Sequence, residues 1–287
     1  MNTNTPIQLV ECPRDAMQGW PHFIPTEKKV EYLNALLQVG FHTLDFGSFV
    51  SPKAIPQLAD TLSVLEQLDT TNSTTRLLAI VANMRGAEEA AAQPALHYIG
   101  FPFSVSPTFQ RRNTNSTPEE SFATIAALQD LCVRNGKEAV IYISMGFGNP
   151  YGDEYSTEIV LHWTDRIAAL GIPVISLADT VGLANPEQIS GLIRAVAPRY
   201  PGIQTGVHLH SAPQNWEPKA EAALNAGCRR FDGAINGIGG CPMAGDDLVG
   251  NMDTLSLLPF FRERGLLPAI DEVALEHCRK LAAGVFV

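Results

Sequence analysis

IQLVECPRDAMQ, residues 7–18, is the stretch on which the reading of the fold depends. A short apolar run, IQLVE (7–11), ends in a carboxylate, and the chain passes through Cys12 and Pro13 directly into Arg14, Asp15 and Gln18. An open doubly wound sheet more naturally places a glycine-rich phosphate turn after an early strand. No glycine stands between residues 7 and 18. A strand that delivers charged side chains at its C-terminal end instead fits a closed barrel, whose active site is built at that end.

The same unit repeats to the C-terminus. Apolar, β-branched runs follow at HTLDFGS (42–48), RLLAIVAN (76–83), HYIGFPFSV (97–105), EAVIYISM (138–145), PVISLADT (173–180), IQTGVHLHS (203–211) and CRRFDGAI (228–235). Their near-continuous apolarity is that of strands buried on both faces of a parallel sheet. Between them, apolar residues recur three and four apart, as in Val30, Leu33 and Leu37 or Ile159, Trp163, Ile167 and Leu170, which is the spacing of one helix face. Thr117-Pro118-Glu119-Glu120 and Asn185-Pro186-Glu187-Gln188 each read as a helix start, with a cap, a first-turn proline and an acid or amide three residues on. Gly40, Gly136, Gly171 and Gly227 stand where helices end. Eight strands alternating with helices predict an α/β fold, a (β/α)8 TIM barrel, as a single domain over residues 1–287.

Composition narrows the function classes. With 45% hydrophobic and 17% charged residues the chain can bury a large core. A formal charge of −10 argues against a nucleic-acid surface, so an anionic ligand needs locally placed Arg or Lys. Five scattered cysteines without CxxC spacing read as reduced thiols. No basic start precedes an apolar stretch, and no run is long enough to span a bilayer, so the expectation is a cytoplasmic protein without membrane contact. The expected assembly is a homodimer.

The strand ends hold the candidate site. His208 and His210 are two apart on one strand, so both imidazoles share a face and point into the barrel mouth. An isolated pair of this kind is equally two histidines hydrogen-bonded in a polar layer. Asp15 favours a metal, because strands one, seven and eight are contiguous around a closed barrel and its carboxylate can reach the same point. A nitrogen and oxygen set without thiolate suits Mg²⁺ or Mn²⁺ better than zinc. Asn251 offers a fourth, neutral oxygen, or simply caps a helix. Cys241, between Gly240 and Pro242, reads as a loop-tip thiol able to exchange a proton with bound substrate, against the plainer reading of a packing residue. Arg14 can stabilise charge developing on an oxygen beside the metal, or pair with Glu11 or Asp45. Arg111 and Arg112 form a rare basic pair that can meet CoA phosphates or lie in solvent.

These residues resemble a known family. ECPRDAMQ, IPTEKK, SFVSPKAIPQLAD, GNPYG, SLADTVG, VHLH and GIGGCPMAGDDLVGN look like the successive signatures of 3-hydroxy-3-methylglutaryl-CoA lyases, in order, from about residue 8 onward. The resemblance implies an acyl-CoA substrate cleaved to acetoacetate and acetyl-CoA. It implies metal ligation by Asp15, His208, His210 and Asn251, carbonyl polarisation by Arg14, and protonation of the departing carbanion by Cys241. Glu11, Gln18, Asp45, Ser48 and Asp179 fall on active-site positions of the family, with Asp45 or His208 as the general base and the others toward substrate. Three features depart from the pattern: Asp45 replaces a Glu, HSAPQNW follows where HDTYG is usual, and GNPYG replaces GCPYEG. They bear on the acyl substrate more than on the reaction type. The rival readings are a lyase or aldolase of the same barrel group, acting on another 3-hydroxyglutaryl-CoA homologue or a 4-hydroxy-2-oxo acid, and a non-catalytic sensor of metal or CoA.

Overall fold

The structure is a computed structural model that describes residues 5–240 and 249–287. Every apolar run forms a strand: β1 (Gln8–Glu11), β2 (Thr43–Ser48), β3 (Arg76–Ile80), β4 (Leu96–Ser104), β5 (Glu138–Ser144), β6 (Val174–Asp179), β7 (Gln204–Leu209) and β8 (Arg230–Gly233). They are parallel and pair in sequence order, and β8 closes on β1. This is the (β/α)8 barrel.

Helices pack around the outside, and their starts follow from local chemistry. Thr117 and Asn185 both form complete capping boxes, with Glu120 and Gln188 returning the bond to the cap backbone. Each such cap stabilises its helix by about 1 kcal/mol. Gly136 and Gly171 follow two helix ends with φ of 63° and 78°, a backbone that a side chain would strain.

Two apolar layers result. The larger lies between the barrel wall and the helices; the smaller fills the barrel itself and consists of Leu78, Ile80, Tyr98, Val140, Tyr142 and Val174. Strand alternation decides which layer a residue joins. Tyr142 and Ser144 of β5, Ala178 of β6, and His208 with His210 at the end of β7 face a cavity of about 450 Å³ at the C-terminal mouth. The residues between them face the helices. No helix among the described residues is long and apolar enough to cross a membrane.

Candidate active site

The site is built first from β7. His210 Nδ1 lies 2.7 Å from the carbonyl oxygen of Val249, to which it donates, so its Nε2 carries the free lone pair. His208 Nδ1 lies 3.1 Å from Asp232 Oδ2, which fixes the second ring in the same way. The two Nε2 atoms then face each other at 3.1 Å. At that distance the facing nitrogens are matched either by one shared proton, His208 Nε2–H donating to His210 Nε2, or by a metal cation that takes both lone pairs. Asp15 completes the group: its carboxylate and the two imidazoles bring ligand atoms within 4.8 Å of one another. The donor set fits a divalent cation, and the carboxylate behind His208 is the usual support for a metal-binding imidazole.

Electrostatics prepare these groups to bind. Burial pushes the Asp15 carboxyl up, but Arg14 and the two histidines outweigh it and hold the carboxyl at about 2. Burial lowers His210, and the neighbouring His208 lowers it further, so its imidazole stays neutral. Burial also lowers His208, but the hydrogen bond and charge of Asp232 overcome this and raise it. A second group, Cys12, His208 and Asp232, is equally close. Burial, then Asp232 and Asp45, push the Cys12 thiol well above its ordinary value, so it stays protonated and is a poor ligand.

Arg14 stands at the edge of the cluster on the short helix Pro13–Gln18. Its Nε donates to both oxygens of Asp45 at 3.2 and 3.0 Å, and its Nη2 also reaches Asp45. Nη1 donates to Asp15 Oδ1 at 2.9 Å and to Gln18 Oε1 at 3.0 Å. Counting hydrogens, one of the five guanidinium N–H groups, on Nη2, is left without an acceptor among the described residues, and Arg14 lines the cavity. Burial lifts Asp45 to about 6, and the Arg14 guanidinium keeps it from rising further, so it is a carboxylate at neutral pH.

The glycine-rich loop after β8 comes close to this group. A Cβ on Gly239 would stand 2.3 Å from Asn251 Nδ2 and 3.1 Å from Asp15 Oδ2. Asn251 Nδ2 donates to Asp15 Oδ2 at 2.8 Å and to the Ile238 carbonyl at 2.9 Å. Asn251 thus touches the cluster, through its amide nitrogen.

Gln18, Ser48 and Arg112 line the cavity as the sequence suggests. Several other expected residues lie elsewhere. Glu11 follows the inward Val10 on β1 and so faces the helices, where its oxygens accept from Ile235 N and Thr254 Oγ1. It does not line the cavity, and burial lifts its carboxyl to about 8. Asp179 follows the inward Ala178 and is likewise turned out, toward Lys219 Nζ at 2.9 Å and Ala184 N at 3.1 Å. Asp45 points inward but lies behind Arg14, with both oxygens engaged, so it anchors Arg14 instead of standing free as a base. Arg111 turns its guanidinium back toward the Asn115 carbonyl at 3.4 Å, while Arg112 stacks 4.6 Å from the Tyr151 ring centre at the cavity rim. Cys241 lies outside the described residues.

Three residues that sequence reasoning passed over matter here. Asp232 backs His208 from the strand adjoining β7, but nothing in that strand's sequence says which face it takes. Tyr142 lines the cavity and packs edge-on against His208 at 5.8 Å between ring centres. Lys219 is buried on the helix Trp216–Asn225, and its Nζ also donates to the carbonyls of Gly182 at 3.0 Å and His210 at 2.9 Å. A lone Lys on a helix carries no sign of such burial in the sequence.

Comparison with known proteins adds the family. The (R)-citramalyl-CoA lyase of Chloroflexus aurantiacus is 33% identical over 273 residues, covering 92% of this chain and 86% of that one. The hydroxymethylglutaryl-CoA lyase of Bacillus subtilis is 33% identical over 232 residues, covering 81% and 77%. Among solved structures, an HMG-CoA lyase from Acinetobacter baumannii in complex with coenzyme A and 3-methylmalate superposes with a TM-score of 0.91 at 30% identity, covering 100% of this chain and 92% of that one. The HMGL-like family profile matches residues 7–281, and with this barrel and these relatives the chain belongs to the HMGL-like family and is a carbon–carbon lyase.

Proposed function

We propose that this lyase cleaves 3-hydroxy-3-methylglutaryl-CoA to acetoacetate and acetyl-CoA, with Mg²⁺ or Mn²⁺ as its cofactor. The observation that carries the reading is the convergence of Asp15, His208 and His210 at the base of a cavity that also receives Arg14. Those three residues would hold the cation. Asn251, which meets Asp15 through its amide nitrogen, would offer the oxygen of the same amide. When bound, the cation supplies Lewis acidity toward the substrate's tertiary hydroxyl.

With Asp45 held by Arg14 and His208 among the residues that would hold the cation, the hydroxyl passes its proton to water in the cavity. The C2–C3 bond then breaks and its electron pair moves into the thioester as an enolate. Arg14 turns its one unengaged N–H toward the developing charge, and because Asp45, Asp15 and Gln18 already fix the fork, no reorganisation is needed. Cys241 then returns a proton to carbon as a general acid. Arg112 at the rim meets the phosphates of CoA.

The identity with the (R)-citramalyl-CoA lyase favours a second reading. Citramalyl-CoA carries the same tertiary alcohol and thioester with its carboxyl attached directly to C3, so pyruvate replaces acetoacetate as co-product. Incubating the protein and Mn²⁺ with each thioester, and assaying acetyl-CoA, acetoacetate and pyruvate separately, distinguishes them. Faster release of acetoacetate supports the first reading and faster release of pyruvate the second. No acetyl-CoA from either thioester would refute both.

A further inference from the structure

Below the site, one row of the barrel wall carries polar groups that the proposed reaction does not use. In the strand register Tyr142 pairs with Ser176, Ser176 with Gly206, and Gly206 with Arg230, which pairs in turn with Gln8. In-register neighbours of a parallel sheet share a face, and Tyr142 places this row on the inward one. Arg230 is fully buried, and among the described residues none accepts from its Nε, Nη1 or Nη2. Gln8 Oε1, Ser176 Oγ and the Tyr142 hydroxyl are likewise buried without a protein partner, as is Oδ1 of Asp232, two residues beyond Arg230 on the same face. The other Asp232 oxygen holds His208 Nδ1 at 3.1 Å. Gly206 makes room for the long side chain, since a Cβ there would stand 3.1 Å from Arg230 Cδ.

A guanidinium withdrawn from water with none of its donors matched is strongly destabilising, and so are unmatched buried oxygens. A small anion would satisfy the guanidinium. The hydroxyls could also donate to it, but it would leave the Gln8 oxygen and Asp232 Oδ1, which only accept, unpaired and would set a second negative charge near Asp232. Water both donates and accepts, so it matches both sets, and buried water is retained where several polar groups converge. We propose that ordered waters occupy this row and join the Arg230 guanidinium to Asp232 Oδ1. Arg230 is thereby a positioning residue: it fixes Asp232, which fixes the His208 ring against the metal cluster. This rests on the metal-site reading given above.

Two experiments test it. A high-resolution crystal structure of the full chain, with a bromide-soaked partner crystal, should show waters bridging Arg230 to Asp232 Oδ1. Bromide on the guanidinium, a direct Arg230–Asp232 ion pair, or a dry row would each overturn the proposal. Mn²⁺ titration of the metal-free protein is the second. Arg230→Met should bind Mn²⁺ roughly 10–100-fold more weakly than wild type, the scale for losing support behind a metal ligand, and Arg230→Lys should recover part of the loss. Wild-type affinity in a folded Arg230→Met protein would overturn the proposal. A wild type that binds no Mn²⁺ would sink the metal reading, and a variant that fails to fold would be silent; in both cases the crystal structure decides.

Discussion

Replacing Arg14 by Met should separate its two duties. One guanidinium holds Asp45 through three contacts and Asp15 through a fourth, and both carboxylates are at most 5% exposed. Methionine fills similar volume but leaves two buried carboxylates without their cation. Removing one partner of a buried pair costs about 3–5 kcal/mol, and that range is expected here in the presence of chelator. Excess Mn²⁺ should restore part of it, because a cation at Asp15 neutralises one of the two charges. Lysine keeps the charge but has no fork, so it reaches Asp45 or Asp15 and not both. Arg14→Lys should therefore cost only about 1–2 kcal/mol, the scale of one or two lost hydrogen bonds. Activity should not follow that ranking. Both variants lose the aimed N–H, so both should lower kcat by roughly 10²–10³. Thermal unfolding with chelator or Mn²⁺, alongside acetyl-CoA release, measures the two effects. If Arg14→Met melts with the wild type, or Arg14→Lys turns over normally, the account of the fork is wrong.

Three further outcomes follow from the same geometry. Asp232→Asn should weaken Mn²⁺ binding about 10–100-fold by freeing the His208 ring, and an unchanged titration would remove Asp232 from the site. Glu11, raised from 4.5 to about 8 in the fold, favours the folded state most below pH 4.5, and that contribution is lost as pH rises toward 8. Glu11→Gln should therefore flatten the stability profile between those pH values, by up to ~1.4 kcal/mol per pH unit relative to wild type, and parallel profiles would contradict the raised carboxyl. Cys241→Ser should melt normally yet turn over at least about 10²-fold more slowly, whereas a normal rate would require another proton donor.

The fold was legible because its signals are local. Strand-length apolar runs, the caps at Thr117 and Asn185 and the glycines at helix ends each state their structure within a few residues, and the structure forms them there. The HxH pair was legible as well, since alternation alone puts both rings on one face. What failed was the choice of face on other strands. A strand of a parallel barrel is apolar on both sides, so nothing in IQLVE or PVISLAD says that Glu11 and Asp179 turn toward the helices. The register does say so, by aligning Val10 with Asp232 and Ala178 with His208. Lys219 and Arg230 were illegible for a related reason: charged residues in a helix and at the start of a strand read as surface, and only the closed barrel buries them.

The most direct test of the account is metal-dependent turnover. Chelator-treated protein should release no acetyl-CoA from 3-hydroxy-3-methylglutaryl-CoA or citramalyl-CoA, and added Mg²⁺ or Mn²⁺ should restore release together with an equimolar oxo acid. Full turnover by metal-free protein would contradict the role assigned to Asp15, His208 and His210.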